Sequence, residues 1–165
     1  MNKRIAILLK VVAITKCLLG LVLLLNEIHN YYNLYTVQET DDVLGVHVSM
    51  FKYKENCYKN FYLYSLLLIT GVSFWINKKL YWGLTQVLLM TIFFVSIIYL
   101  WFASYIPIMT RLALSTLTLS VFMFFEIKMY NSLFLKTVEI SKRVKVLSVL
   151  GGVLSFAIWF LLLAY

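Results

Sequence analysis

The sequence predicts an all-α integral membrane protein: a bundle of about five transmembrane helices in a single membrane domain, residues 1–165, with a cytoplasmic N-terminus. Three observations predict it. The chain is 62% hydrophobic and 13% charged, with a mean hydropathy of +0.87, whereas soluble domains sit near about 45–50% apolar and about 25% charged. A soluble protein of 165 residues cannot hide that much apolar surface from water. Finally, the apolar residues come in long blocks separated by short basic stretches, and the blocks do not alternate as the strands of a membrane barrel must.

A hydrocarbon core about 30 Å thick is crossed by roughly 17–25 helical residues at 1.5 Å each. The first block, 5–25, is interrupted by Lys10 and Lys16. It follows Met1, Asn2, Lys3 and Arg4 without a small-residue cleavage pattern behind it, so it is expected to act as an uncleaved anchor. The second, 61–76, is short, but Tyr58 before it, Tyr62 and Tyr64 at its start and Trp75 near its end suit the membrane interface. If it did not span, four helices would remain. The third and fourth, 80–103 and 107–126, need a break between them, which Pro107 supplies, because proline disfavours helix in the residue before it and is accepted in a first turn. The turn is expected at Ser104, Tyr105 and Ile106. The fifth block is 146–164.

Lysine and arginine counts orient the chain. With the N-terminus inside, the inner segments hold Lys3, Arg4, Lys78, Lys79, Lys128, Lys136, Lys142, Arg143 and Lys145, and the outer ones only Lys52, Lys54, Lys59 and Arg111. This leaves an extracytoplasmic loop at 26–60 and a basic cytoplasmic loop at 127–145. In the outer loop Asp41 and Asp42 read as a turn, and 43–53 carries a weak strand alternation. The inner loop can be an ordinary positive-inside connection or an interfacial helix on an anionic leaflet. The net charge of +8 is thereby assigned to topology and not to nucleic acid.

Ionisable groups within spans are the first functional candidates. Lys10 and Lys16 lie toward the inner half of the first helix, and Glu126 at the inner end of the fourth. Snorkelling of the lysines is one expectation. The other is a pair between Glu126 and Lys16 or Lys10, which would pin the first helix to the fourth. Arg111, near the outer end of the fourth helix, can meet Glu27, Asp41, Asp42 or lipid phosphate. Small and hydroxyl residues mark helix-packing faces: Gly71; Ala113, Thr116 and Ser120; and the spaced pairs Ser148/Gly152 and Gly151/Ser155. They serve packing within the chain or in a homo-oligomer. No catalytic set, cofactor motif or metal spacing is expected: His29 and His47 are the two histidines, and neither Cys17 nor Cys57 sits in a Cys/His cluster.

In size and topology the chain resembles small bacterial polytopic proteins such as bacteriocin immunity proteins and membrane subunits of phage-defence systems, with no motif carrying the resemblance further. The leading expectation is a non-enzymatic subunit of the bacterial inner membrane. It would be a sensor, anchor or immunity- or defence-type component, with lipid and other membrane or cytoplasmic proteins as partners. The alternatives are an oligomeric channel or transporter, its pore lined by Thr116 and Ser120 between Arg111 and Lys16, and a membrane enzyme acting on lipid or peptide with His47 at its centre.

Overall fold

The computed structural model describes residues 3–38, 47–103, 107–134 and 140–164. Among them are five helices and no strand: α1 Lys3–Gln38, α2 His47–Ile76, α3 Lys78–Phe102, α4 Pro107–Phe134 and α5 Lys142–Ala164. Four of these, all but α2, are long and apolar enough to cross a membrane.

The helices outrun the apolar blocks. α1 has 36 residues and α2 has 30, or about 54 Å and about 45 Å of axis, longer than a hydrocarbon core is thick. Most of the segment 26–60, expected as a loop, is therefore the continuation of these two helices, and the weak strand signal is overturned over 47–53, where α2 begins. The physical reason is that a strand needs a partner for its amides, while a helix that is already nucleated satisfies them one residue at a time. α4 likewise continues to Phe134 into the expected inner loop, and α5 begins at Lys142. The turns expected at Asp41–Asp42 and at 104–106 lie outside the described residues.

The connections follow local chemistry. Asn77 alone joins α2 to α3; its extended backbone (φ −156°, ψ 124°) ends one helix, and its side chain accepts the Lys79 amide at 2.8 Å to cap the next. Pro107 opens α4, where its missing N–H costs nothing. Ser141 receives the Val144 amide at 3.4 Å at the head of α5.

α3 is the hub. It packs against α2, α4 and α5, while α1 lies along α2 and reaches α4 over a narrow strip. The residue pairs give the directions. Gly20 faces Leu68 and Gly71 faces Cys17, so α1 and α2 are antiparallel. Gly83 faces Ser148 and Gly152 faces Met90, so α3 and α5 are parallel. The approach of α1 to α2 is close enough that a Cβ on Gly71 would sit 2.8 Å from the Cys17 backbone nitrogen, which only glycine avoids. Two apolar clusters fill the interior. One gathers Leu9, Ala13, Tyr81, Trp82, Tyr130 and Ile140 toward the N-terminal end of α1; the other gathers Leu88, Ile92 and Met123 at mid-height.

Candidate functional site

The most chemically distinctive site joins α1, α3 and α4 at the level of Lys16. α1 presents Lys16, α4 presents Glu126, and α3 presents Tyr81 and Thr85, four residues apart on one face. Lys16 is 5% exposed and Glu126 is fully buried. The Lys16 ammonium stands 2.7 Å from Glu126 Oε2 and donates at 3.5 Å to both the Tyr81 hydroxyl and Thr85 Oγ1. The Tyr81 hydroxyl in turn donates to Glu126 Oε1. The ammonium also lies 5.0 Å from the centre of the Tyr81 ring, within cation–π range. Both charges are thus met on several sides, which is what their burial requires.

The wall around this network is aromatic. Tyr81 stacks edge-on against Phe74, and its ring centre lies 5.8 Å from that of Tyr130. The Tyr130 hydroxyl donates to the Lys78 carbonyl, and Trp82 Nε1 donates to Asn131 Oδ1 at 2.7 Å, tying the end of α4 to the start of α3. On the opposite side the network borders a cleft of about 270 Å³ between α1 and α4, lined by Val12, Thr15, Lys16, Leu119, Phe122 and Met123. Leu19, Leu67 and Leu119 are shared with a second cleft of about 200 Å³, which carries Asn60, Tyr64, Tyr99 and Thr116 among leucines. An ion pair therefore bridges two helices that otherwise barely touch.

The other expected residues are placed as follows. Lys10 is exposed on α1 and takes no part in the network, so Lys16 is the lysine that meets Glu126. Arg111 is exposed, and Glu27, one of its expected partners, is instead buried against α2, where Asn60 donates to it at 3.1 Å. Cys57 is buried beside the same carboxylate, and that burial, with Glu27 adjacent, pushes its thiol up to about 11. Gly71 serves the α1–α2 seam; Ser148, Gly151 and Gly152 serve the α3–α5 seam against Gly83, Val87 and Met90. Ala113 and Ser120 are buried, and Thr116 lines a cleft while bonding back to the Leu112 carbonyl. Ser155 belongs to a second polar node: Tyr62 of α2 donates to its hydroxyl at 2.8 Å, and Thr91 of α3 lies 2.7 Å from it. His29 contacts Asn33 one turn on, at 3.0 Å. Among the described residues no three His, Cys, Asp or Glu side chains converge as a metal site would require.

Sequence reasoning missed Tyr81, Thr85 and Thr91, and read Tyr62 only as an interface residue. Their signal is common to all: a hydrogen-bonding side chain inside an apolar block needs a partner, whether or not it is charged.

Chemically, the Lys16 network is a fastener. The charges are answered within it, Glu126 Oε2 by the ion pair with Lys16 alone and Oε1 by the Tyr81 hydroxyl, and the side toward the α1–α4 cleft is apolar. No known protein family, curated protein or solved structure matches this chain.

Proposed function

We propose that this chain is an integral protein of the bacterial plasma membrane that crosses the bilayer five times from a cytoplasmic N-terminus. It acts as a non-catalytic subunit, a sensor, anchor or immunity-type component, through contacts with other proteins. One observation carries the reading: large apolar side chains are exposed on every helix while the deep charges are gathered inside. Leu18 at 59%, Val22 at 60%, Leu114 at 58% and Leu154 at 64% exposure would be untenable in water. Lys16 and Glu126, in contrast, face each other in the interior. The fifth span is α2, whose apolar half 61–76 is held between α1 and α3. The excess of lysine and arginine near the N-terminus of α1, at the α2–α3 junction and at the head of α5 supports the orientation.

The test is a pair of reporters fused after Tyr165. Alkaline phosphatase is expected to be active there and a cytoplasmic fluorescent reporter dark. The reverse pattern would overturn the five-span reading. Recovery of the chain from a detergent-free soluble fraction would overturn the membrane reading itself.

A channel or carrier is the second reading, favoured by the joined clefts between α1 and α4. Planar bilayers containing the purified protein separate the two. The subunit reading expects no conductance above the bare bilayer. A conductance that changes in Arg111→Gln would put the channel in its place.

A further inference from the structure

Gln86 has no use in the interior. It lies in α3, eight residues after Lys78, or about 12 Å along the axis, too deep for its short side chain to reach the headgroups. It is half-buried, and among the described residues none hydrogen-bonds its carboxamide. Lipid chains offer it nothing either, so the group is left with unmet donors and an unmet acceptor.

The surroundings of Gln86 have the form of a helix seam. Lys79, Gln86, Phe93 and Leu100 recur every seven residues, with Gly83, Met90 and Ile97 between them, the spacing by which one helix packs along another. Beside Gln86, Gly83 and Met90 turn partly toward Ser148 and Gly152 of α5, and beyond them the stripe is open: Phe93, Ile97 and Leu100 are 43%, 45% and 47% exposed. α4 and α5 flank it, and among the described residues they do not pack against each other. Grooves run along both sides. One, of about 390 Å³, is lined by Met90, Phe93, Ser120 and Phe124; the other, of about 340 Å³, by Gly83, Val87, Leu147 and Ser148.

We infer that this α3 stripe is a self-association surface, on which Gln86 of one copy pairs with Gln86 of a second copy of this chain. The inference rests on the membrane reading above. Copies inserted by the same charge rule share one orientation, so a two-fold axis between them runs along the membrane normal. A residue on that axis meets itself at its own depth and must be self-complementary. A carboxamide is, because each N–H donates to the other's carbonyl, closing two hydrogen bonds. A single polar residue in an apolar seam also fixes register, since any slip strands both carboxamides in hydrocarbon. Lys79, at the end of the stripe, meets its copy in the headgroup zone, where lipid phosphates and salt screen the repulsion.

The test uses the full chain labelled with donor and acceptor dyes and reconstituted into phosphatidylcholine vesicles. Energy transfer is followed as lipid dilutes the protein, and vesicle flotation and helical circular dichroism are checked for each variant. Wild type is expected to transfer energy. Gln86→Leu is expected to need about tenfold more protein per lipid for the same transfer. Gln86→Asn, which keeps the carboxamide, is expected to fall between them, and Leu18→Ala on the far face of α1 to change nothing. Unchanged transfer in Gln86→Leu, or a wild type that is monomeric at every dilution, would overturn the inference. Protein left in the aqueous phase after flotation would instead overturn the membrane reading beneath it.

Discussion

Two polar nodes hang on α3, and they are built differently. Toward the start of the helix, Tyr81 and Thr85 serve a full charge pair, Lys16 with Glu126, drawn from α1 and α4. Two turns on, Thr91 meets Ser155 of α5 and, through it, Tyr62 of α2, with no charge involved. The neutral node also has a reserve that the charged node lacks: Thr91 lies 2.8 Å from the Val87 carbonyl of its own helix, so its hydroxyl keeps a partner if Ser155 is lost. A stranded ammonium or carboxylate in the interior has no comparable refuge. The charged node should therefore behave as all-or-none and the neutral node as graded. The packing around them reinforces the contrast. Where α3 and α5 meet around the neutral node, small residues already bring the backbones close, whereas α1 and α4 are separated by a cleft and depend on the ion pair to span it.

The largest effect should come from breaking the charged node on one side. Glu126→Leu leaves the Lys16 ammonium buried without its counter-ion, and a loss of about 3–5 kcal/mol is expected, read as a drop in thermal stability in detergent and in yield from the membrane. A loss within the range of ordinary surface changes would mean that the two nodes do not differ in kind. Next in size is the α1–α2 seam that holds Lys16 at the right height. Gly71→Val drives a branched side chain into the Cys17 backbone and should cost about 1–3 kcal/mol, with Gly71→Ala milder. If both were tolerated equally, the close approach of α1 to α2 would not be what positions the lysine. Ser155→Ala, at the neutral node, should cost only about 0.6 kcal/mol, and Thr91→Val a similar amount, measured by the same unfolding assay.

The smallest effect near neutral pH lies at the far end of α1, beside Glu27. Cys57 has its thiol raised from about 9 to about 11, so the folded state holds this proton more tightly than the unfolded state does. The sign follows from linkage: stability is unaffected below pH 9 and falls as pH rises from about 9 toward 11, where the unfolded thiol ionises first. Maleimide labelling of Cys57 at pH 8 should accordingly be slow and should quicken in Glu27→Gln. Equal labelling of folded and denatured protein would remove this burial from the account.

How much of this was legible in the residues differs between the same two nodes. Charges inside apolar blocks are conspicuous, so Glu126 stands out on depth alone as a partner for Lys16 or Lys10, and Pro107 as the start of α4. What depth cannot supply is rotation about the helix axis. That rotation excludes Lys10, six residues from Lys16 and so about 120° around the helix from it, and brings in Tyr81 and Thr85. The neutral node is harder to read in the sequence: Ser155 shows only as a small packing residue and Tyr62 as an interface tyrosine, while Thr91 passes as an ordinary member of an apolar block. The extensions of α1 and α2 through the polar segment were illegible for a different reason. Apolar periodicity ends near Leu25 and resumes near Phe61, but helical hydrogen bonding does not depend on it, and Glu27 with Asn60 gives the two extended helices a contact of their own. Gln86 was readable as a lone carboxamide in an apolar run, yet only the packing shows that none of the described residues answers it.

The central claim is that Lys16 and Glu126 hold α1 to the α3–α4 pair as a unit, and a double-mutant cycle on reversible unfolding in mixed micelles tests it most directly. Lys16→Met and Glu126→Leu should each be severely destabilising, while the double variant, which replaces the pair by apolar side chains, should recover most of the loss, leaving a coupling energy of about 2 kcal/mol or more. Losses that simply add in the double variant would contradict the account and leave the two side chains as neighbours without a joint role.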